Sequence, residues 1–361
     1  MATLLSLPAE LILAIVKYVQ AEEQAPLPFY KWADAYEYAV KEARPNWIND
    51  LRSFCLVSRR CHNLLKPIIY QNIYVRDEAF RKYPLGQLKR TLKNDPLLEN
   101  YIVSVIVPCR NSICEIRHFF WFPNMQALTI LFFNDLDPIE FEGKGLVGKS
   151  PVRSLSLIRC GAHEEALAAV LSWPAVLEVL HYDVEQAEWE GQFVDRIADR
   201  WTCAAFVRAL QPQKGNLREL TLTRPWLDHE GLFKGPRIDL SGFTALATLR
   251  IYQVFLCGED DPLEAWRSLP SCLEELEIFY DDWDLTTFEE DEFMRGLLMQ
   301  KEEHLPHLRR ISIASPEELW DTEKQEYKPA GQWVPPPPLK RALELAGLEL
   351  DVQLGIETPA F

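Results

Sequence analysis

"PVRSLSLIRC", Pro151–Cys160, is the stretch whose reading decides the fold. It follows Gly143, Gly148, Lys149 and Ser150, which complete the phosphate-cradling pattern G-x-x-x-x-G-K-[ST]. That pattern works only between a buried strand and a helix whose N-terminal amides face the phosphates. The upstream half is met, because Leu128–Phe133 is apolar enough for a strand. The downstream half fails. Pro151 can open a helix, but Val152–Ile158 alternates apolar and polar residues with period two, the mark of a half-buried strand. A strand has no helix dipole to set behind phosphates, so the glycine-rich stretch reads as a loop between two strands.

The same spacing, apolar-x-x-apolar-x-apolar, recurs along the chain. It falls at Ile102/Val105/Val107, Met125/Leu128/Ile130, Val152/Leu155/Leu157, Leu177/Leu180/Tyr182 and Leu217/Leu220/Leu222. It continues at Leu246/Leu249/Ile251, Leu273/Leu276/Ile278 and Leu308/Ile311/Ile313, with a weaker copy at Leu345/Leu348/Leu350. From residue 102 to residue 345 there are eight intervals over 243 residues, about 30 each, with single gaps of 23 to 40. Helix-like segments fill several gaps, among them Glu164–Leu171, Ala204–Leu210 and Asp291–Gln300. A strand and a helix repeated at this period describe a leucine-rich-repeat solenoid with a parallel sheet on its concave side. Only Val152–Cys160 keeps a Cys at the turn after the strand, so the repeats are irregular. The rival is a non-repeating α/β fold, in which strands and helices also alternate.

Composition narrows the function. The chain has 361 residues, 48% apolar, with a net charge of −16, which argues against nucleic acid or an anionic membrane as partner. No run of 18 apolar residues offers a membrane span. The apolar N-terminus lacks a basic leader and carries Pro8 and Glu10, unlike a secretory signal. Eight cysteines lie scattered in apolar surroundings, as reduced thiols of the cytoplasm or nucleus do. Cys109, Cys114 and His118 lack a second ligand pair for zinc. There is no G-x-S-x-G, no metal triad and no second glycine loop, so neither an enzyme nor a cofactor is expected.

The first seventy residues are different in kind. Leu7 to Val19 reads as an amphipathic helix, with Pro8 in its first turn, Glu10 favourable to its dipole, and a stripe of Leu11, Ile12, Ile15, Val16 and Val19. A second helix is expected over Asp50–Val57. Ser58 then caps a third that starts at Arg59 and is kinked or ended by Pro67. Three short helices with this much apolar surface need a partner or a neighbouring domain to cover them.

These residues resemble an F-box. The resemblance rests on the Leu-Pro-x-Glu-Leu opening and the later Leu-Val-Ser-Arg junction, carried by Leu7, Pro8, Glu10, Leu11, Ile15, Leu51, Leu56, Val57, Ser58 and Arg59. It departs from the family in an insert over residues 20–49, which includes "FYKWADAYEYAVKEA", and in having Tyr70 as the nearest aromatic to the family's late tryptophan. The resemblance implies that Leu7, Pro8, Glu10, Leu11, Ile15, Leu51, Leu56, Val57 and Ser58 dock the Skp adaptor and, through it, a cullin ubiquitin ligase. A small helical subdomain packed on the rest of the chain is the plainer alternative. The expected layout is α/β: a three-helix F-box-like domain over 1–75, then an irregular leucine-rich-repeat domain over 76–361. That layout resembles a substrate receptor of a Skp–cullin–F-box ligase. A ligase-independent interaction scaffold is the alternative.

In such a solenoid the residues between core leucines face outward. One column would hold Ser156, His181, Thr221, Arg250, Glu277 and Ser312; the next would hold Ile158, Asp183, Thr223, Tyr252, Phe279 and Ala314. His181, Arg250, Tyr252, Glu277 and Phe279 are the candidate client-binding residues, with the two aromatics expected on an open face. The acidic stretch Asp281–Glu292 points to a basic client segment, or is simply a solvated loop. Pro335–Pro338 reads as a stiff lead-in to a helix at Leu339–Ala346.

Overall fold

The computed structural model describes residues 8–22, 53, 55–56, 58–75, 84–109, 117–133, 145, 147–184, 202–223, 235–258, 262–279, 290–316, 318–321, 326–329 and 337–356. The first helix, α1 (Ala9–Glu22), starts just after Pro8, whose carbonyl accepts the amides of Leu11 and Ile12. Pro8 therefore stands before the first turn rather than in it. Helix α2 (Arg59–Ile69) is capped by Ser58, whose hydroxyl accepts the Cys61 amide at 3.1 Å. Pro67 does not end α2 before Ile68. It removes one amide near the helix end, and the turn still closes where the Tyr70 amide meets the Lys66 carbonyl at 3.2 Å. Val16 of α1 and Leu65 of α2 are buried together, with Cys55, Ile68 and Ile69 around them, in a small core of their own. The expected helix over Asp50–Val57 lies largely outside the described residues.

Helix α2 runs through Tyr70 and Gln71 into β1 (Asn72–Tyr74). There follow α3 (Pro84–Asn94), β2 (Ser104–Pro108), β3 (Ala127–Leu131), β4 (Ser154–Cys160), α4 (Glu164–Ser172), β5 (Val179–Val184) and α5 (Cys203–Leu210). Next come β6 (Glu219–Thr223), β7 (Thr248–Tyr252), α6 (Gln253–Cys257), β8 (Glu275–Phe279), α7 (Glu290–His304) and β9 (Arg310–Pro316). The chain continues with β10 (Glu318–Asp321), β11 (Glu326–Pro329), α8 (Pro337–Leu345) and β12 (Glu349–Ile356).

Strands β1 to β9 and then β12 form one ten-stranded sheet in sequential order, every neighbouring pair parallel; β10 and β11 form a separate antiparallel pair. A doubly wound sheet reverses its strand order at a switch point. This sheet never does, so the architecture is a solenoid-like α/β arrangement. Eight of the nine sequence copies fall on strands of the sheet as spaced, and the ninth meets β12 only at Leu350. The tenth, β1, has three residues and lies inside the segment assigned to the helical domain.

One repeating device holds the strands in step. The carbonyls of Gln71, Val103, Gln126, Arg153, Glu178, Arg218, Ala247 and Glu274 each accept two consecutive amides from the start of the next strand, at 2.8–3.2 Å. Arg309 continues the row by accepting the Glu349 amide. The row corrects the last sequence copy. Leu350 pairs with Ile311 and Val352 with Ile313, so the core positions are two residues later than the spacing suggested. The displaced Leu345 is 81% exposed. The cause is the end of α8. Gly347 takes a left-handed φ of +69°, its amide meets the Glu344 carbonyl at 3.1 Å, and the Leu348 amide meets the Leu343 carbonyl at 2.9 Å. This cap uses Leu348 to cover the helix end, with Leu343 and Leu348 both buried.

The main core lies between the sheet and the helices. Leu155, Leu157, Leu180, Tyr182, Leu220 and Leu222 are sealed there with Leu167 and Val170 of α4 and Phe206 and Leu210 of α5. Each fully buried aliphatic side chain of this kind is worth about 1.5–3 kcal/mol, so each rung supplies much of its own stability. Helices α4 and α5 match the expected segments within one or two residues. They are tied by Nε and Nη2 of Arg208, which donate to the two carboxylate oxygens of Glu164, each at 2.7 Å. Thr202 caps α5 by accepting the Ala205 amide at 3.0 Å. Helix α8 starts at Pro337, so the last two prolines of the run form its first turn, where missing amides cost nothing.

Candidate functional site

Alternation along each strand turns its leucines to the helices and the intervening residues to the opposite face. The ladder register brings Ser156, His181, Thr221, Arg250, Glu277 and Ser312 into one column, as the spacing implied, and adds Asp351 from β12. Beside it runs a column the sequence reading missed: Glu219, Thr248, Glu275, Arg310 and Glu349. The signal was available, because these residues precede the first column by two positions.

His181 belongs to a hydrogen-bonded chain. The Thr223 hydroxyl donates to Asp183 Oδ1 at 2.7 Å, which leaves its oxygen to accept from His181 Nε2 at 3.2 Å. The imidazole is thus held as its neutral Nε2–H form. Burial, and then the charge of Arg250, push its pKa down to about 4. The second Asp183 oxygen accepts the Arg159 amide at 3.2 Å. Arg159 sits at φ +53° and Phe132, at the equivalent place one strand earlier, at φ +60°. Both are unusual for residues with side chains. The Arg159 guanidinium lies 5.9 Å from the centre of the Phe132 ring. The extra residue shifts the β4–β5 ladder between Leu157 and Cys160, so Ile158 is not paired with Asp183 as the second column required. Leu131 and Ile158, with Ile106 and Phe132 around them, form a separate apolar cluster.

Arg250 lies between two carboxylates. Its Nε donates to Glu277 at 2.8 Å, and Nη1 lies 3.6 Å from Glu219. Glu277 is only 7% exposed, and its pKa is raised, by burial first and also by the Glu275 charge, against the lowering by Arg250 and Arg310. Arg310 reaches Asp351 at 3.5 Å through Nη2, while its buried Nε has no partner. Ser312, between Glu277 and Asp351, is fully buried and its hydroxyl is also unpartnered.

Tyr252 and Phe279 correct the expectation of an open aromatic patch. They are 3% and 5% exposed, their rings 4.7 Å apart, and both belong to the main core. Tyr252 is the last residue before α6, where the chain leaves the ladder and alternation no longer sets the outward direction. The acids at 281–289 lie outside the described residues.

At the N-terminal helices, Pro8 and Glu10 are exposed, Leu11 is 51% exposed and Leu56 89% exposed. Ile15 lies on α1, and Ser58 serves as the cap of α2. Leu7, Leu51 and Val57 lie outside the described residues.

The glycine-rich stretch is engaged elsewhere. The Gly148 amide donates to the Ser172 carbonyl at 2.9 Å, and the amides of Lys149 and Ser150 both donate to that of Trp173. These are the groups a phosphate cradle would need, and β4 follows where the helix should be. Among the described residues, no group of three His, Cys, Asp or Glu could hold a metal, and no helix is long and apolar enough to cross a membrane. No protein-family model and no curated protein matches the chain.

Proposed function

We propose that this protein is a non-catalytic substrate receptor of a Skp–cullin–F-box ubiquitin ligase. Its N-terminal helices dock the Skp adaptor, and an irregular leucine-rich-repeat domain presents a client to the ligase. One observation carries the reading. The helical head buries Val16 and Leu65 in a core of its own, yet keeps Leu11 and Leu56 outward. Covering such leucines with a partner is worth about 1.5–3 kcal/mol each. The Leu-Pro-x-Glu-Leu and Leu-Val-Ser-Arg motifs give that partner its identity.

The geometry suits a rigid receptor. Helix α2 leads directly into the first strand, and Lys66 of α2 donates to Asp95, just past α3, at 2.5 Å. A client on the outward sheet face would therefore keep a fixed bearing to the adaptor. His181, Arg250 and Glu277 are the client-facing residues of this reading; Tyr252 and Phe279 support the face from beneath.

Co-expression with a Skp adaptor tests the proposal. The wild-type chain should co-purify with it, and Leu11→Asp with Leu56→Asp should abolish the complex. Both positions are exposed, so the variant should keep its circular dichroism and melting temperature. A wild-type chain that ignores the adaptor would leave a ligase-independent scaffold as the better description.

A further inference from the structure

We infer that the outward face of β8, β9 and β12 is a docking strip for an extended basic peptide. Its main-chain carbonyl would be held by Arg310 and Ser312, and its lysine or arginine side chains by Glu275, Glu277, Glu349 and Asp351. The inference rests on the reading that the sheet holds a client, and it names the client's chemistry.

Charge gives the first argument. From β6 to β12 the two outward columns carry five carboxylates, Glu219, Glu275, Glu277, Glu349 and Asp351, against two guanidinium groups, Arg250 and Arg310. Arg250 is held between Glu219 and Glu277, and Arg309, just ahead of β9, sits 2.8 Å from Glu274 and 3.6 Å from Glu275, which leaves the carboxylates in excess. Burial and the Glu275 charge oppose ionisation of Glu277 more than Arg250 and Arg310 favour it, so a further cation on this face lowers the energy of the carboxylate.

The unpartnered donors give the second. Arg310 Nε and Ser312 Oγ stand two residues apart on one face of β9, both buried and both without a partner. A buried donor left unpaired is costly, and a peptide carbonyl satisfies either group. A simple polyamine offers cations without carbonyls; an acidic peptide offers carbonyls with the wrong charge. A basic peptide offers both. The side chains of Arg310 and Asp351 are 39% and 33% exposed and lie 3.5 Å apart, so this end of the strip reaches the surface.

The test uses the full chain and a fluorescent peptide alternating lysine with serine, read by anisotropy. A glutamate–serine peptide and spermine serve as comparisons. The lysine peptide should bind more tightly than either. Glu277→Gln with Asp351→Asn should weaken it about tenfold, as loss of close charge pairs does. Glu275→Gln with Glu349→Gln removes only partly or fully exposed carboxylates, so it guards against misfolding as the cause, and it should also weaken binding. Ser312→Val should weaken binding several-fold, whereas Glu302→Gln with Glu303→Gln, exposed on α7 away from the sheet, should not. Equal losses from the α7 pair would reduce the effect to bulk attraction by an acidic chain. An unchanged affinity in Ser312→Val would mean that trapped water satisfies the hydroxyl; either result overturns the strip. The assay omits the adaptor, so failure here and failure to bind the adaptor are separate outcomes.

Discussion

The side-chain oxygen of Gln213 accepts the backbone amide of Leu177 at 3.0 Å. The nitrogen of the same side chain donates to the carbonyls of Leu171 and Pro174, each at 3.0 Å. Gln213 is buried in the turn after α5, yet it closes the turn after α4, one repeat earlier. It is a polar staple between neighbouring repeats, with every bond made.

Gln213→Leu keeps much of the volume and removes all four side-chain bonds, the fourth being the one Gln213 accepts from Asn216 Nδ2 at 3.2 Å. It strands one amide and two carbonyls, so the chain should lose about 3 kcal/mol of stability. A shift of the urea midpoint at constant slope would register it. An unshifted midpoint would mean that water takes over the vacated bonds.

Gly296 is needed for close packing. A Cβ there would lie 2.4 Å from the Leu263 carbonyl oxygen, which is backbone and cannot rotate aside. Gly296→Ala should force α7 away from the turn Pro262–Ser268 and cost about 1–3 kcal/mol. At Gly215 a Cβ meets nothing within 4 Å, so Gly215→Ala should leave the melting temperature nearly unchanged.

His181 predicts an acid-sensitive fold. Its folded pKa of about 4 lies below the ordinary 6.5, so the folded protein binds fewer protons between those values. Its contribution is complete above pH 6.5 and is lost as pH falls towards 4, by roughly 2 kcal/mol after allowance for partial exposure. His181→Gln keeps a donor for Thr223 and cannot protonate. The wild-type stability should therefore fall relative to the variant across that window. Parallel curves would refute the assignment.

Gly347 isolates backbone strain. Space around it is open, but its φ is +69°. Gly347→Ala should cost about 1 kcal/mol, and Gly347→Asn less, because Asn tolerates the left-handed region. Equal effects would point to packing instead.

Much of the sheet was legible because the aliphatic spacing recurs at the strands. Leu155, Leu220 and Leu276 each announce a strand on their own. The first outward column followed from period two alone. The rest needed three-dimensional information. The last repeat slipped because the apolar residue Leu348 serves a helix cap rather than the ladder. Tyr252 was misread because alternation ends where the chain turns into α6, and Phe279 is paired with it at the end of the neighbouring strand. Gln213 left no local trace, since the groups it staples lie about forty residues earlier. The pairing of Arg310 with Asp351 was hidden by the same two-residue slip.

The doubled carbonyl row acts as a ruler on one margin of the sheet only. Extra length between repeats is taken up after the strands have ended, which is why spacings of 23 to 40 residues still give an unbroken ladder. Segments grafted where strands finish should leave the register intact. One residue added ahead of a strand, for example between Leu217 and Leu220, would turn that rung's greasy side to water. The scaffold is thus free to diversify along one rim while the other stays fixed.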